Sequence, residues 1–538
     1  MTMASGPCRS VLFGAVAASL LAGVAPSRAS GDEGRGASLY DRGELTSGAA
    51  VQATVAGDVA IAGKAAACAT CHGRSGLGST EGREWVPPVA GRILFSSRSS
   101  GRRERPGYDR ESLARALRDG IDAAGQPLDS LMPRYRIGDG DVDALASHLR
   151  SLAPDAPPGV SSHEIRFAVV ATPDADPGVK QATWEVLRAF AANKSVQTRG
   201  FVPWDRNFGS FRRWVLVPWD LQGAPEGWGR QLEDLYRAEP VFALLSGAGG
   251  SEWGPVHDFC ERRSVPAFLP NVDVPPLVAA SGSYSVYFSL GVSLEAAAVA
   301  AELSGDVDPL TVVQFVADDS RARAAAAALR AVLPRSATFL QIDVAQRAAP
   351  GGDRMNQALG RAAPVLSKAK RERRAAVLWL GADEMGKALA AVAGEGEWER
   401  VFISSTLSQG DARGPPLPEG LDPAVVQVVH PYSEPSEIAR RLPRILAWLR
   451  SRGLPEDELR VRDQTLTACM VVGDALMHAL TQIDREYVLE LLDHGGNSPS
   501  LSAFHSRLAF GPGQRLLERS VFLVAIGAGA APPRRIVP

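Results

Sequence analysis

Cys68-Ala69-Thr70-Cys71-His72 is the most informative stretch of the 538-residue sequence. Two cysteines three positions apart on one helical turn can each form a thioether with a vinyl group of the same porphyrin. The histidine next to them then points at the iron from the same side. The motif therefore predicts one covalently attached heme, with Cys68 and Cys71 as its anchors and His72 as an axial ligand.

Two other kinds of site use a Cys-x-x-Cys pair. A zinc site needs a second pair of ligands at similar spacing, and the sequence contains none. A thioredoxin-like redox pair lies between a strand and its helix, whereas the residues on both sides of this motif are rich in glycine and alanine. A chance occurrence is the third alternative. Because the chain also carries an export signal, described below, heme attachment is the interpretation we favour.

An electron carrier needs a second axial ligand, and methionine raises the reduction potential relative to a second histidine. Residues 30–155 contain a single methionine, Met132, which lies in a polar loop before a proline. His148 is the alternative ligand. Apolar residues recur around His148 at helical spacing, so it is better interpreted as part of an amphipathic helix. We therefore predict that Met132 is the distal ligand.

Four stretches between residues 35 and 153 follow a pattern known from one family. They are Cys68-Ala69-Thr70-Cys71-His72-Gly73, Pro87-Pro88-Val89-Ala90-Gly91, Leu131-Met132-Pro133 and the helical segment Asp141–Leu152. This region resembles a class I cytochrome c. The resemblance implies an all-α domain that binds heme c, with His72 as the proximal and Met132 as the distal ligand. It also implies that the carbonyl of Pro87 accepts a hydrogen bond from His72, which would fix the tautomer of the ring.

The composition excludes several classes of protein. With 58 Lys+Arg and 60 Asp+Glu the formal net charge is −2, so no basic field recruits nucleic acid. The hydrophobic content of 45% is too high for a disordered chain, and five cysteines are too few for a disulfide-stapled one. Outside the motif, Cys260 and Cys469 could form a disulfide or remain buried thiols.

Residues 1–29 are predicted to be a signal peptide. Arg9 precedes the apolar run 11–25, and the small residues Ser27 and Ala29 complete a cleavage site. The run is shorter than the ~20 apolar residues that span a bilayer, and no later run is long enough either. We therefore expect a periplasmic protein that is cleaved near Ala29 and has no stable transmembrane segment.

A proline-rich stretch divides the exported chain. We predict a cytochrome c domain at 30–153, a linker at 154–163 and a second domain at 164–538. In the second domain strand-like and helical segments alternate, which predicts parallel sheets covered by helices. The region has no phosphate-binding loop, no GxSxG elbow and no HExxH motif, which argues against the enzymes that depend on them.

The alternation forms two series, which predicts two lobes. The first lobe is expected at about 164–290 and 425–505, and the second at about 291–424 and the C-terminal tail. Ligands of open α/β sheets bind outside the carboxyl ends of the strands, so a cleft between the lobes is the expected site.

Several stretches of the second domain also follow a family pattern. They are Phe242-Ala243-Leu244-Leu245-Ser246-Gly247, Val265-Pro266-Ala267-Phe268-Leu269-Pro270-Asn271, Tyr284-Ser285-Val286-Tyr287-Phe288-Ser289, Glu384-Met385-Gly386 and Arg535-Ile536-Val537-Pro538. Residues 164–538 resemble the type I periplasmic substrate-binding proteins of the branched-chain amino acid transport class. The resemblance implies that Ser246, Gly247 and Asp273 contact the ligand and that Glu384 meets its ammonium group.

The acid at Asp273 departs from the family, in which Ser or Thr is usual, and would repel a ligand carboxylate. Together, Asp273 and Glu384 would suit a cationic or polyol-like ligand, and the ligand class stays open. We therefore predict a periplasmic mono-heme electron carrier rather than an enzyme, whose second domain binds a small solute or docks a redox partner such as a periplasmic dehydrogenase or oxidase. A solute receptor or sensor of the ABC-transporter type with a redox-reporting heme, and a peroxidase-like heme enzyme, are the alternatives.

Overall fold

The computed structural model describes residues 31–81, 84–100, 103–153, 157–199, 212–277, 282–304, 310–333, 337–344, 373–409, 414–479, 482–494, 510, 514–526 and 532–537. The predicted signal peptide at 1–29 lies outside the described residues, as do positions 154–156 of the predicted linker. The chain forms two compact units, Met1–Thr70 with Ile93–Ser151 and Cys71–Arg92 with Leu152–Pro538. It passes from the first unit to the second within the Cys-x-x-Cys-His motif.

The α-helices of the described residues are α1 Gly31–Arg42, α2 Ala69–His72, α3 Gly91–Leu94, α4 Arg110–Asp119, α5 Asp139–Ser151, α6 Pro177–Arg199, α7 Trp228–Ala238, α8 Gly254–Arg263, α9 Val292–Leu303, α10 Ser320–Val332, α11 Ala382–Gly394, α12 Ser405–Ser408, α13 Pro435–Arg450, α14 Leu459–Ala479 and α15 Arg485–His494. Short 3₁₀ helices are Gly63–Ala66, Pro225–Gly227 and Pro423–Val425. Among the described helices, none combines the length and the apolar character that a bilayer span requires.

The β-strands of the described residues are β1 Gln52–Val55, β2 Val59–Ala62, β3 Ser79–Glu81, β4 Glu84–Val86, β5 Arg98–Ser100, β6 Arg103–Arg105, β7 Arg134–Arg136, β8 Glu164–Ala171, β9 Arg213–Asp220, β10 Ala243–Leu245, β11 Ala267–Phe268, β12 Ser285–Val286, β13 Leu310–Ala317, β14 Thr338–Val344, β15 Arg373–Trp379, β16 Arg400–Ser404, β17 Val426–His430, β18 Val521–Ala525 and β19 Arg534–Ile536.

The first unit is built around the packing of α1 on α5. Gly36 permits the close approach, because a Cβ at this position would lie 2.0 Å from the carbonyl oxygen of Ala144. The ring of Tyr40 then packs on that of His148, with 5.2 Å between the ring centroids. His148 is therefore a buried packing residue of an amphipathic helix, as its sequence context indicates.

The prediction of an all-α cytochrome domain is not confirmed, because strands accompany its helices. β1 pairs antiparallel with β2 and with β7 in a three-stranded sheet. Val55 lies opposite Val59, and the turn between them has positive φ at Ala56 and Gly57 (52° and 93°). Strands of three or four residues are too short to give a recognisable alternation of apolar and polar residues, so the sequence pattern did not indicate them.

The first lobe of the second unit is a sheet with the strand order β12-β11-β10-β8-β9. Its strand pairs are parallel. Alternate residues of β8 enter two different cores: Phe167 and Val169 pack with residues of α14 and α15, whereas Ala168 and Val170 pack with α7 and α8. Helices therefore cover both faces, which explains why this strand is apolar along most of its length.

The second lobe is a sheet with the strand order β14-β13-β15-β16-β17-β18-β19. The strands from β14 to β17 are parallel, and β18 and β19 are added antiparallel at one end. Val312 packs with α9 and α10 on one face, and Val313 packs with α11 on the other. After β17 the chain returns to the first lobe, where Cys469 of α14 and Leu489 of α15 join the core.

Candidate functional site

The proximal histidine of the predicted heme site lies at the end of α2. The helix is preceded by a 3₁₀ turn, not by a strand, which differs from the setting of a thioredoxin-like pair. Nδ1 of His72 lies 2.8 Å from the carbonyl oxygen of Pro87. With the ring proton on Nδ1, this hydrogen bond leaves Nε2 as the nitrogen that can bind a metal. This is the pairing that the resemblance implies.

Burial keeps His72 in the form that a metal ligand requires. The side chain is 7% exposed, and burial lowers its pKa, an effect that the bond to Pro87 opposes in part. A neutral imidazole with a fixed tautomer is the form in which histidine binds iron. The residues present here therefore fit a heme, with Cys68 and Cys71 immediately before His72 in the chain.

The loop after His72 is held by backbone hydrogen bonds. The amide of Gly78 donates to the carbonyl of His72 (3.0 Å), and the amides of Val89 and Ala90 donate to the carbonyl of Gly76 (2.7 and 2.8 Å). Ser79 Oγ donates to the carbonyl of Cys71 (2.9 Å). These bonds fix the loop from the motif to the Pro87 segment.

Met132 lies in a loop of the first unit whose backbone is fixed independently of the methionine side chain. Asp129 accepts a hydrogen bond from the amide of Leu131 (2.8 Å). The guanidinium of Arg134 donates to the carbonyls of Met132 and of Leu128. A polar loop with a fixed backbone and a half-buried methionine suits a ligand-bearing loop better than a core position.

A cavity of about 500 Å³ lies between the two lobes of the second unit. It is at the carboxyl ends of β8, β11 and β13, where open α/β sheets bind ligands. The charged and amide residues lining it are Asp174, Asp176, Asn271, Asp273, Asp318, Asp319, Arg321, Arg323 and Arg460.

Asp273 links the two lobes by ion pairs. Its carboxylate lies 3.1 Å from Arg321 of the second lobe and 3.0 Å from Arg460 of α14, and it accepts a hydrogen bond from Tyr432 (3.1 Å). Burial by itself would raise the pKa of Asp273, but the two guanidiniums outweigh this effect and hold the pKa below its usual value. The acid is therefore ionised and its charge is already compensated.

The other acids of the cavity have local partners as well. Asp174 accepts hydrogen bonds from Thr172 (2.6 Å) and from the amide of Ser251 (2.8 Å). Asp319 is the N-cap of α10 and also pairs with Arg321 (2.8 Å), while Asp318 pairs with Arg323 (2.6 Å). The cavity is thus polar, with most of its charge paired internally.

Two polar atoms of the cavity lining have no partner among the described residues. They are Oδ1 of Asn271, a residue that is 5% exposed, and Nε of Arg460. The amide nitrogen of Asn271 donates to Thr183 (3.0 Å) and Thr465 (2.9 Å), which orients the side chain. Both atoms are shielded from solvent, so neither is open to the cavity.

Of the four residues predicted for the solute site, Asp273 lines the cavity. Ser246 is buried and hydrogen-bonded to Asn271 (3.1 Å), so it supports a lining residue. Gly247 follows it with φ 117°, a conformation that favours glycine. Glu384 lies in the first turn of α11 and is not part of the described lining of this cavity.

Three lining residues, Arg321, Arg460 and Asn271, were not predicted from the sequence as site residues. Arg321 lies in the first turn of α10, among other charged residues that give no reason to single it out. Arg460 is 187 positions from Asp273 and follows a stretch with no recognisable motif. No local pattern could have paired the two residues.

Glu295 is a fully buried acid of α9 near this network. It accepts hydrogen bonds from Ser404 Oγ (2.5 Å), Thr406 Oγ1 (2.8 Å) and the amide of Thr406 (3.0 Å). Burial raises the pKa of Glu295 to about 7, although these donors oppose the shift. The carboxyl holds the turn after β16 in place.

We expect Glu295 to make the fold less stable as the pH rises from about 4.5 to 7. Below this window both states are protonated. Within the window the unfolded chain releases the proton that the folded chain retains, so the free energy of unfolding falls by up to about 1.4 kcal/mol per pH unit. Above pH 7 both states are ionised at this residue and the free energy of unfolding falls no further. Glu295→Gln should remove about 2–3 kcal/mol of this pH dependence. Urea unfolding at pH 5 and pH 8 checks this, with the exposed Glu397→Gln as control; equal pH profiles for all three proteins would contradict it.

The two remaining cysteines are buried thiols. Cys260 belongs to the core formed with α7 and α8, and Cys469 to the core on the opposite face of the sheet. They do not form a disulfide with each other, and burial raises the pKa of both thiols.

Comparisons with known proteins give the following likenesses. Residues 60–153 match the family model Cytochrome c. No curated protein matches the chain. Among solved structures, a putative branched-chain amino acid ABC transporter from Rhodospirillum rubrum is 14% identical with a TM-score of 0.43, and covers 69% of this chain and 100% of its own.

Two further structures are similar at the same level. A branched-chain amino acid ABC transporter from Thermus thermophilus with bound valine is 14% identical with a TM-score of 0.46, covering 70% of this chain and 97% of its own. A solute-binding protein of an ABC transporter from Rhodopseudomonas palustris BisB5 in complex with 3,4-dihydroxybenzoic acid is 12% identical with a TM-score of 0.43, covering 70% and 96%. The chain thus combines a region that matches the cytochrome c family model with a two-lobed α/β fold.

Proposed function

We propose that the protein is an exported mono-heme c-type electron carrier whose second domain binds a small solute or docks a redox partner. The observation that carries the proposal is the 2.8 Å contact between His72 Nδ1 and the carbonyl of Pro87, directly after the Cys-x-x-Cys pair. This contact prepares the imidazole as an axial ligand before any metal is present.

In this proposal Cys68 and Cys71 hold the heme through thioethers, and His72 and Met132 are its axial ligands. The bound heme supplies one-electron chemistry. Pro87 orients His72 and retains the proton on Nδ1. If His72 and Met132 both bind the iron, the heme would exchange single electrons with a partner such as a periplasmic dehydrogenase or oxidase, and bond-making at the iron would be disfavoured.

For the cleft we propose a small polyol-like solute. Because Arg321 and Arg460 already compensate the charge of Asp273, a cationic ligand gains little from that acid. The lining is polar and its charges are largely paired with one another, which favours hydroxyl groups over a charged ligand. If solute binding shifts the reduction potential of the heme, the protein acts as a receptor or sensor. A thermal-shift screen of polyols, amines and amino acids tests solute binding, and measurements of the reduction potential with the same compounds test the coupling.

We further propose that residues 1–29 are removed on export and that the mature protein is periplasmic. The basic start, the apolar run 11–25 and the small residues at Ser27 and Ala29 support this. The intact mass of the protein recovered from the periplasm tests this. A mass equal to that of the chain from residue 30 onward would support cleavage, and a mass that includes residues 1–29 would contradict it.

The decisive experiment on the heme is the expression of the full chain with the heme-maturation machinery. We expect a coloured protein whose pigment resists extraction by acidic acetone. The double variant Cys68→Ser/Cys71→Ser should lose all covalent pigment, whereas Cys469→Ser, which removes a buried thiol elsewhere, should retain it. A parent protein that stays colourless, or that loses its pigment to extraction, would overturn the proposed function.

A further inference from the structure

The loop that follows His72 is bound by one helix of the second unit, α15. The amide of Ser75 donates to Glu490 Oε1 (2.8 Å), and Ser75 Oγ donates to Glu490 Oε2 (2.6 Å). One carboxylate therefore holds both polar groups of one loop residue, although the two residues are 415 positions apart. Ser75 is 1% exposed, so the contact is shielded from water.

A second ion pair lies beside the first contact. Arg74 lies 2.8 Å from Glu486, which is one turn before Glu490 on α15. Glu486 also accepts a hydrogen bond from the hydroxyl of Tyr284 in the first lobe. At the other end of the same segment Arg92 donates to the side chain of Gln482, just before α15. The segment 71–92 is thus attached at two points to α15 and at a third to the residues just before it.

Gly73 shows that the fit is close. This residue directly follows His72, and a Cβ at its position would lie 2.7 Å from Oε2 of Glu490. Its φ of 73° also favours glycine. Any other residue here would have to displace the carboxylate.

The helix that makes these contacts is itself firmly held. Arg485 donates to the carbonyls of Val241 (2.7 Å) and Phe242 (2.8 Å), at the start of the central strand β10. Asp493 pairs with Arg515 (2.5 Å), and both side chains are almost fully buried. The apolar face of α15 belongs to the core of the first lobe. The helix is therefore a rigid support rather than a surface segment.

Glu486 and Glu490 are partly buried carboxyls, and removing them from water is costly unless hydrogen bonds and ion pairs compensate. Burial raises the pKa of Glu490 to about 7, and it also raises the pKa of Glu486, which Arg74 opposes. An apolar pair of similar size would avoid this cost. The two carboxyls therefore lower the stability of the fold, but they hold the loop after His72 in a defined position.

We propose that α15 is a platform on which the first lobe positions the loop carrying the proximal ligand, with Glu490 as the positioning residue, so that the solute-binding-like domain sets part of the heme's reduction potential. The inference rests on the proposed function. In this inference the first lobe is part of the redox site, because it positions the loop that carries the proximal ligand.

The mechanism is both geometric and electrostatic. The carbonyl of His72 is bound by the amide of Gly78, so a movement of Ser75, which lies between them in the chain, reaches the backbone of the ligand. The Glu490 carboxylate, bound to the loop that follows His72, would also favour the more positive ferric state of a heme held there, because opposite charges attract more strongly away from water. Releasing the loop or removing the charge should therefore change the potential.

The test compares Glu490→Gln, Ser75→Ala and their double variant with the parent, each matured with heme and titrated at pH 8. Glu490→Gln should shift the equilibrium towards the reduced form by about threefold or more, since it removes a partly buried negative charge. Ser75→Ala keeps the charge and loses one bond, and should change the equilibrium by about twofold or more. The double variant should change it by less than the product of the two, because both act through one contact.

Hydrogen exchange supplies a readout that does not depend on the heme. The amide of Ser75 should exchange about tenfold faster in Glu490→Gln than in the parent, whether or not heme is attached. Exposed Glu226→Gln, on the same lobe, is the matched control and should change neither the potential nor the exchange. Variants that fold and hold the pigment with an unchanged potential, or with a lower melting temperature alone, overturn the inference. A parent that binds no heme overturns the proposed function instead, and is recognised by its lack of pigment.

Discussion

Replacing Asp273 with alanine is expected to lower the free energy of unfolding of the second unit by about 3–5 kcal/mol, because it leaves two largely buried guanidiniums without their common counter-charge. The side chain of Asp273 is 8% exposed, and those of Arg321 and Arg460 are 20% and 24% exposed. Removing one partner of a buried pair costs more than the pair itself contributes, since the remaining charges stay desolvated. Urea unfolding at pH 7 measures the loss.

The control for this prediction is an exposed ion pair of the same cavity. Asp318 and Arg323 lie 2.6 Å apart, but both side chains are about half exposed. Asp318→Ala should therefore cost less than about 1 kcal/mol. Adding Arg460→Ala to Asp273→Ala should recover part of the loss, because it removes the guanidinium that Asp273 neutralises, whereas Arg321 keeps its pair with Asp319. If Asp273→Ala cost no more than Asp318→Ala, Asp273 would not be the link between the lobes.

The pH dependence of the same network has a definite sign. The pKa of Asp273 is lowered in the folded protein, so its contribution to stability is present above the ordinary carboxyl pKa and is lost as the pH falls below it. Glu295 acts in the opposite direction, since its pKa is raised. The two acids together favour a stability maximum in the mildly acidic range, between the window of Asp273 and that of Glu295.

The parts of the molecule that depend on neighbouring residues could be predicted from the sequence. The heme motif is five consecutive residues whose chemistry is local, and the segments from β8 to β16 show periodicities that identify strands and helices. Asp319 is the N-cap of α10, and Asp383 and Glu384 lie in the first turn of α11. Helix starts impose this pattern because their amides need acceptors.

The parts that depend on distant contacts could not be predicted. The partners of Asp273 come from α10 and α14, and the partner of Ser75 comes from α15. Single charged residues on helices are normally solvated, so a sequence pattern gives no reason to pair them over hundreds of positions. The short strands β1, β2 and β7 were not predicted for a related reason: their pairing is itself a tertiary contact.

Replacing Met132 with alanine should lower the reduction potential by about 0.1–0.2 V, a fraction of the roughly 0.8 V range that axial ligands span. A thioether favours ferrous iron, and its loss leaves the distal position to water or to an added ligand. The fold should tolerate the change, because Asp129 and Arg134 hold the loop through its backbone. The absorption band that arises from charge transfer between methionine sulfur and ferric iron should disappear, and a spectrum of the oxidised protein records this directly.

Met132→Leu and Leu131→Ala make this prediction specific. Leucine has nearly the shape of methionine without its sulfur. Met132→Leu should therefore lose the charge-transfer band and lower the reduction potential, as Met132→Ala does. Leu131 is 56% exposed and precedes Met132, so Leu131→Ala changes the same loop and should keep both. A parent that lacks the band and binds cyanide rapidly would show an open distal position, and the peroxidase-like enzyme would then be the better hypothesis. If the band and potential of the parent persist in Met132→Leu, the distal ligand is another residue, and Met132 belongs to the loop only as a packing side chain.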